Sequence, residues 1–204
     1  MASSKARRVR LPVLDVTAER DNAAVRAARA LDAARTARGV TDLAVTKFAS
    51  DLILDAEEKI KERSAYRDNL MLSLVVHDGY PAMQVAKAAG TSRAWMLKML
   101  DKKLGAGDGA FTMKSIPKDE GERKELARSM SVRYHGNAAS ELPVVAAEIV
   151  KQKAVIDTAM PVRDEAVRSL TEKREATRAE IAQLIGRNPS RVSHLTAERE
   201  PVAP

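Results

Sequence analysis

The chain has 204 residues, no cysteine and a formal net charge of +7. Without cysteine it cannot form disulfides, thiolate active sites or cysteine-based zinc sites, and no apolar run approaches the ~18 residues of a membrane span. The basic balance favours a polyanionic partner such as DNA, RNA or an acidic membrane surface.

Helix-forming residues dominate the composition. Aromatic residues make up only 3% of the chain, strand formers do not occur in runs, and alanine, arginine, glutamate, lysine and leucine are abundant. These residues have high helix propensity. The sequence therefore predicts an all-α protein, and the absence of cysteine fits a cytoplasmic location.

Residues 1–14 are predicted to form a basic, flexible arm. Three arginines, Arg7, Arg8 and Arg10, precede the first acidic residue. Such an arm either keeps the chain soluble or contacts DNA phosphates and the minor groove. The sequence leaves both interpretations open.

Residues 15–104 are predicted to form an N-terminal helical domain that starts with a helix over 17–38. Its apolar residues lie three apart and form a narrow stripe: Val25, Ala28, Leu31 and Ala34. Gly39 is expected to end this helix, because glycine readily adopts the left-handed backbone found at helix C-termini.

A long helix follows in the same domain. Thr41 or Asp42 can cap its start, and the helical pattern continues toward Val76. The turn sequence Asp-Gly-Tyr-Pro at 78–81 then separates it from two short helices over 82–100.

Residues 105–119 are predicted to form a linker. The segment holds several residues that break helices: Gly105, Gly107, Gly109 and Pro117. Ala110–Met113 can form a short strand, so the segment is alternatively half of a wing. Its GxGxG sequence lacks the strand-loop-helix order of a phosphate-binding loop.

Residues 120–199 are predicted to form a C-terminal helical domain, with a short helix over 120–134 and a long helix that begins at Glu141. Pro161 is expected to kink or end the long helix, because proline lacks the amide donor and clashes with the preceding turn. The tail at 200–204 contains two prolines and is expected to be frayed.

One pattern occurs twice in the chain, 96 residues apart and without a gap. Identical residues include Arg67-Asp68 and Arg163-Asp164, Ser73-Leu74 and Ser169-Leu170, Ala86 and Ala182, and Gly90 and Gly186. Two helices that cross at a tight turn need a small residue at their contact and, four positions later, one that tolerates left-handed backbone. Both copies meet this requirement.

Capping residues support the same boundaries, 81–100 for the first copy and 177–196 for the second. Thr177 and Glu180 have the spacing of a capping box. Asn188 can cap the last helix, and Ser92 is its equivalent in the first copy.

Ala82–Met99 and Arg178–Leu195 resemble the helix-turn-helix units of resolvases, sigma-factor DNA-binding regions and small repressors. The stretches EIAQLIG at 180–186 and PSRVS at 189–193 carry the closest resemblance. The first copy departs from the pattern, with Met96 and Met99 where branched residues are usual. The predicted fold is therefore two helix-turn-helix-containing domains joined by a glycine-rich loop and long helices.

The resemblance implies that the second helix of each unit enters the major groove of double-stranded DNA. The implied base-reading residues are Ser92, Arg93, Ala94, Lys98, Asn188, Ser190, Arg191, Ser193 and His194. The implied phosphate contacts are Arg7, Arg8, Arg10, Lys87, Lys102, Lys103, Arg178 and Arg187.

Other candidate sites have simpler interpretations. Trp95 can stack on a base, but the sequence favours packing against a neighbouring helix. His77, His135 and His194 lie far apart in sequence, and no nucleophile-base-acid arrangement is evident. Neither an enzyme, nor a metal site, nor a cofactor is predicted.

The sequence thus predicts a sequence-specific DNA-binding regulator, most simply a repressor of the bacteriophage or plasmid type, associated with the nucleoid. One chain would read two different half-sites as a monomer, or pair as a homodimer. Two alternatives stay open: an architectural, recombination or partition accessory protein that also binds DNA, and a helical scaffold protein that binds none.

Overall fold

The structure, a computed structural model, describes residues 10–105 and 115–197, except for the side chains of residues 189, 191 and 197. All regular secondary structure in these ranges is helical, which confirms the predicted all-α class. The helices are α1 (Val16–Thr36), α2 (Asp42–Val76), α3 (Ala82–Ala88), α4 (Arg93–Leu104), α5 (Glu120–Ser129), α6 (Ala138–Glu172), α7 (Arg178–Leu184) and α8 (Pro189–Ala197). The proposed strand at 110–113 lies outside the described residues.

The sequence repeat is also a repeat of helices. The long helices α2 and α6 both contain 35 residues, and they begin and end 96 residues apart. The short helices α3 and α7 both contain 7 residues and keep the same offset, as do the first residues of α4 and α8. Corresponding helices therefore keep the same bounds although their caps differ, since Pro81 precedes α3 without a side-chain cap and Thr177 forms a capping box at α7.

The chain forms two compact units. Unit 1 contains the residues up to Val16 and residues 62–149, and unit 2 contains residues 17–61 and those from Val150 onward. Each unit thus combines parts of both consecutive domains, 15–104 and 120–199, that the sequence suggested. A 35-residue helix is about 52 Å long, well beyond the diameter of a small domain, so each long helix contributes one part to each unit.

The core of unit 1 surrounds the end of α2. This stretch is buried on all sides from Leu70 to Val76 and packs with α3, α4 and the start of α6. Among the core residues are Val85, Ala86, Met96, Leu100, Leu142 and Val145. Since aromatic residues are scarce, methionine and leucine supply most of the volume here, and burying each large side chain contributes about 1.5–3 kcal/mol.

The part of the N-terminal arm that the structure describes is not free. Leu11 is buried in the core of unit 1. The amide of Leu14 donates to the carbonyl of Lys87, and the side chain of Leu14 lies against Gly90. The prediction of a flexible arm over 1–14 therefore fails for its last residues, because two leucines find apolar surface on the first helix-turn-helix.

Unit 2 has two smaller clusters of buried residues. One joins the end of α6 to α7 and α8 through Val167, Leu170, Ile181, Ala182, Ile185, Val192 and Leu195. The other joins α1, α2 and α6 through Leu31, Ala49, Ile53 and Ala159. Two of the four buried residues in the second cluster are alanines, so small side chains fill part of the space where these helices pack.

Two sequence expectations for the helices were wrong. The buried residues of α1 are Ala23, Ala27 and Leu31, while Val25 is about half exposed. A stripe built on steps of four follows one face of a 3.6-residue helix, whereas steps of three drift around it. Helix α6 continues through Pro161 to Glu172, so of the two outcomes expected at this proline, a kink or an end, the end is wrong. A proline removes only one amide donor, and the neighbouring turns keep the helix intact.

One carboxylate of unit 2 holds the start of α2 to the end of α6. Asp42 Oδ2 accepts a hydrogen bond from Lys173 Nζ at 2.7 Å and one from Ser169 Oγ at 2.6 Å. These contacts hold the pKa of Asp42 below its ordinary value of 3.8, with the Lys173 bond as the largest cause. The equivalent serine of unit 1, Ser73, accepts a hydrogen bond from the amide of His135.

We expect the contribution of Asp42 to stability to depend on pH. Because its folded pKa is lowered, the stabilisation is complete above the unfolded pKa and is lost as pH falls through the folded pKa. Asp42→Asn should therefore lower the free energy of unfolding at pH 7, and the difference from wild type should shrink toward about pH 3 and below. Urea denaturation at several pH values checks this. Asp21→Asn, on the exposed face of α1, is the control, and an Asp42→Asn deficit that persists in acid would contradict the account.

The two turn glycines should respond differently to substitution. Gly90 and Gly186 both have left-handed backbone, with φ of +60° and +62°. A Cβ at Gly90 would lie 2.8 Å from Leu14 Cδ2, whereas one at Gly186 would lie 3.5 Å from Leu54 Cδ1. Gly186→Ala should lower the free energy of unfolding by about 1–2 kcal/mol through backbone strain. Gly90→Ala should lower it more, because the segment that contains Leu14 must also move. Urea denaturation followed by circular dichroism measures both, and equal costs would refute the close packing at Gly90.

Candidate nucleic-acid interface

The turn between α3 and α4, which forms the first candidate helix-turn-helix, has the geometry that the sequence predicted. Ala86 on α3 is 1% exposed, and its carbonyl accepts a hydrogen bond from the amide of Thr91 at 2.9 Å. This bond passes over Gly90 and closes the end of α3. Ser92 Oγ then accepts from the amide of Trp95 at 3.1 Å and caps α4.

The second helix-turn-helix repeats these bonds. The carbonyl of Ala182 accepts from the amide of Arg187 at 3.0 Å, and Asn188 Oδ1 accepts from the amide of Ser190 at 3.1 Å. The predicted capping box is confirmed, with Thr177 and Glu180 bonded to each other's backbone amides. Hydrogen bonds from the Thr177 amide and hydroxyl lower the pKa of Glu180.

Helix α4 divides cleanly into a buried and an exposed face. Its apolar residues face the core of unit 1: Met96, Met99, Leu100 and Leu104. The candidate base-reading residues of this copy are all exposed: Ser92, Arg93, Ala94 and Lys98. Arg93 and Ala94 lie in the first turn of α4, which is the part that the resemblance expects to enter a major groove.

The candidate base-reading residues of the second copy are less uniformly exposed than those of the first. Asn188, Ser190 and His194 are exposed, while Ser193 is half-buried. Asn188 Oδ1 accepts from both the amide and the hydroxyl of Ser190, so this oxygen serves the cap. The side chain of Arg191 lies outside the described residues.

The candidate base-reading arginines of the two copies, Arg93 and Arg191, do not occupy equivalent positions. At the 96-residue offset Arg93 corresponds to Pro189, and Arg191 corresponds to Trp95. The helices share their backbone placement but present different side chains at each position. The two copies therefore offer different surfaces, as the sequence indicated.

The candidate phosphate contacts are mostly exposed. Lys87, Lys102, Lys103 and Arg178 are exposed, as is Arg10, and Arg7 and Arg8 lie outside the described residues. Arg187 is exposed as well, but its guanidinium Nη2 lies 2.5 Å from Glu57 Oε1. A phosphate would have to compete with this carboxylate, so Arg187 is a weaker candidate than its sequence position suggested.

Charge is distributed unequally between the two copies. Residues 82–104 hold five lysines and arginines and a single carboxylate, Asp101, which is buried. Residues 178–197 hold three arginines and one glutamate, and Arg187 is paired with Glu57. The first helix-turn-helix is therefore the more strongly cationic of the two.

An arginine-aspartate pair lies on the long helix before each helix-turn-helix. Arg67 Nη2 donates to Asp68 Oδ1 at 2.8 Å, and Arg163 Nη2 donates to Asp164 Oδ1 at 2.7 Å. The arginine side chains are only 11% and 5% exposed. The repeat marked these residues as identities, but nothing in the sequence showed that the arginines would be buried.

Trp95 packs against a neighbouring helix, as the sequence favoured, but not in the core. The guanidinium carbon of Arg67 on α2 lies 4.5 Å from the centre of its ring, and the residue stays 37% exposed. This is the geometry of a cation–π contact. The sequence could not show it, because the two residues lie 28 positions apart on different helices.

Other chemistry finds little support in the described residues. His77 Nε2 lies 2.9 Å from the carbonyl oxygen of Val132, and His135 lies edge-on against Tyr66. Among the described residues no three histidines, aspartates or glutamates converge as metal ligands would. None of the described helices combines the length and apolar character needed to cross a bilayer.

Comparisons with protein-family models, with curated proteins and with solved structures found no match to this chain. Its function is therefore inferred from its own residues.

The buried arginine-aspartate pair should matter far more than a surface pair on the same helix. Asp164→Ala leaves the buried Arg163 guanidinium without its carboxylate, and we expect it to lower the free energy of unfolding by about 3 kcal/mol. Asp157→Ala removes a partner of Arg20 from a pair that is more than half exposed, and should cost less than about 1 kcal/mol. Urea denaturation measures both, and similar losses would show that the buried pair has no special role.

Proposed function

We propose that this chain is a double-stranded DNA-binding protein that acts as a transcriptional regulator, most simply a repressor. The observation that carries the proposal is the exposed, cationic N-terminal end of α4 within a helix-turn-helix turn. The tight turn and the Ser92 cap fix the start of the helix, and the exposed face contains no acidic residue from Ser92 to Leu100.

The chemistry of the exposed residues fits duplex DNA. Arg93 can donate two parallel hydrogen bonds to O6 and N7 of guanine, and Ala94 can contact a thymine methyl group. Lys98 and Lys87 can neutralise phosphates on either side. The α4 helix, which is 12 residues long, is about 18 Å long and narrow enough for a major groove.

The first helix-turn-helix is proposed to supply most of the affinity. It has more cationic side chains than the second, and those at the start of α4 are exposed. The second unit would add a different and weaker half-site, and its covalent linkage to the first would raise its effective concentration once the first is bound. One chain would then recognise a site that is not palindromic.

Binding by Arg93→Ala and Lys98→Ala tests the proposal. A specific duplex is first selected from a random DNA pool with the wild-type chain, and affinities are then measured by fluorescence anisotropy. Arg93→Ala should weaken binding to the selected duplex by about 1–3 kcal/mol and relax its sequence preference, whereas Lys98→Ala should weaken binding to all duplexes and reduce the salt dependence.

Two variants of matched charge serve as controls. Arg29→Ala and Lys153→Ala each remove one exposed positive charge from helices outside the helix-turn-helix units. They should change the affinity far less than their α4 counterparts. The proposal is wrong if the chain binds no duplex at low salt, which is also the result that the scaffold interpretation predicts.

The position of bound sites in a genome separates the two DNA-binding roles. Sites that overlap promoters favour a repressor, whereas sites at attachment or partition sequences favour an architectural accessory protein. Footprinting of genomic fragments recovered with the chain makes this distinction directly.

A further inference from the structure

A groove in unit 1 opens beside the outer face of α4. It has a volume of about 600 Å³ and is lined by Asp68 of α2 and by Trp95, Lys98, Met99, Asp101, Lys102 and Lys103 of α4. This volume lies within the range of pockets that hold small organic ligands. An aromatic ring and three lysines at one groove form a surface with both stacking and anion-binding character.

Trp95 is held in place before any ligand arrives. Arg67 lies against its ring, and the guanidinium is itself bonded to Asp68 through two nitrogens, at 2.8 and 3.2 Å. More than a third of the residue remains exposed. A fixed ring loses little conformational entropy when a flat ligand stacks on it.

The lysines lie where they can bind an anion attached to a stacked ring. Lys98 and Lys102 follow Trp95 by three and seven positions, so the three side chains share one face of α4. Both lysines are exposed, as is Lys103, and the ion pairs between described residues include none of the three. An anionic group can therefore bind them without displacing a protein partner.

Asp68 adds a hydrogen-bond acceptor at the inner side of the groove. Both bonds from Arg67 end on Oδ1, which leaves Oδ2 able to accept from a base amino group or a sugar hydroxyl. Because Arg67 balances its charge, this carboxylate repels a phosphate only weakly.

The second copy shows that the fold itself does not require these residues. At the 96-residue offset Trp95 becomes Arg191, Lys98 becomes His194 and Lys102 becomes Glu198. Helix α8 forms with no aromatic ring at the first of these positions and no lysine at the second, and Glu198 lies outside the described residues. A structural role shared by both copies therefore does not explain them.

We propose that this groove binds a nucleotide, with the base stacked on Trp95 and the phosphate held by Lys98 and Lys102. The nucleotide is either a free mononucleotide or an unpaired nucleotide of a DNA strand, since both present the same base and phosphate. This binding goes beyond duplex recognition and does not depend on it.

Because Trp95 is the only tryptophan, its fluorescence reports stacking directly. The full chain is titrated with AMP, with a single-stranded oligo-dA and with inorganic phosphate, and affinities are measured in parallel by calorimetry. AMP or the oligonucleotide should quench the fluorescence, while phosphate alone should not. Quenching by AMP indicates the free nucleotide as source, and quenching by the strand alone indicates an unpaired nucleotide.

Substitutions test whether nucleotide binding takes place in this groove. Trp95→Ala should weaken nucleotide binding by about 5- to 150-fold, the range expected for loss of one base-aromatic stack. Lys102→Ala should weaken it as well, and Lys153→Ala should not. The proposal is overturned if neither nucleotide ligand quenches Trp95 at millimolar concentration, or if Trp95→Ala binds as tightly as wild type. A chain that binds AMP but no duplex would keep this proposal and remove the duplex-binding one.

Discussion

The packing of two short helices across a tight turn is the constraint on which each candidate helix-turn-helix depends. Ala86 and Ala182 are both almost fully buried, in the cores that contain α4 and α8 respectively. The turn that follows needs left-handed backbone, which Gly90 and Gly186 adopt. Once these two positions are satisfied, the direction of the next helix is fixed, and its exposed residues are determined by their spacing.

The duplication preserves this backbone and changes what it displays. The turn bonds at Thr91 and Arg187 are the same in both copies. The buried pair Arg67-Asp68 also recurs as Arg163-Asp164. The outer faces of α4 and α8 have diverged, with a tryptophan in one where the other has an arginine. Such divergence is what a chain needs if it is to present two surfaces of different specificity.

Local signals in the sequence predicted the helices well. The caps at Ser92, Thr177 and Asn188 are confirmed, because capping involves residues two or three positions apart. The start of α2 near Asp42 and its end at Val76 follow from equally local features. The exposure of Arg93 and its neighbours on α4 could also be predicted, since it depends only on the 3.6-residue period.

Contacts between distant segments could not be predicted in this way. The ion pair of Arg187 with Glu57 joins residues 130 positions apart, and it gives a carboxylate partner to a guanidinium that the sequence offered as a candidate phosphate contact. The docking of Leu11 on unit 1 and the division of each long helix between two units depend on which elements pack together.

Lysine acetylation footprinting, with and without a selected duplex, tests most directly the proposal that the exposed face of α4 contacts duplex DNA. We expect duplex DNA to protect Lys98 from acetylation and to leave the reactivity of Lys153 unchanged. Equal reactivity of Lys98 with and without the duplex would contradict the proposal.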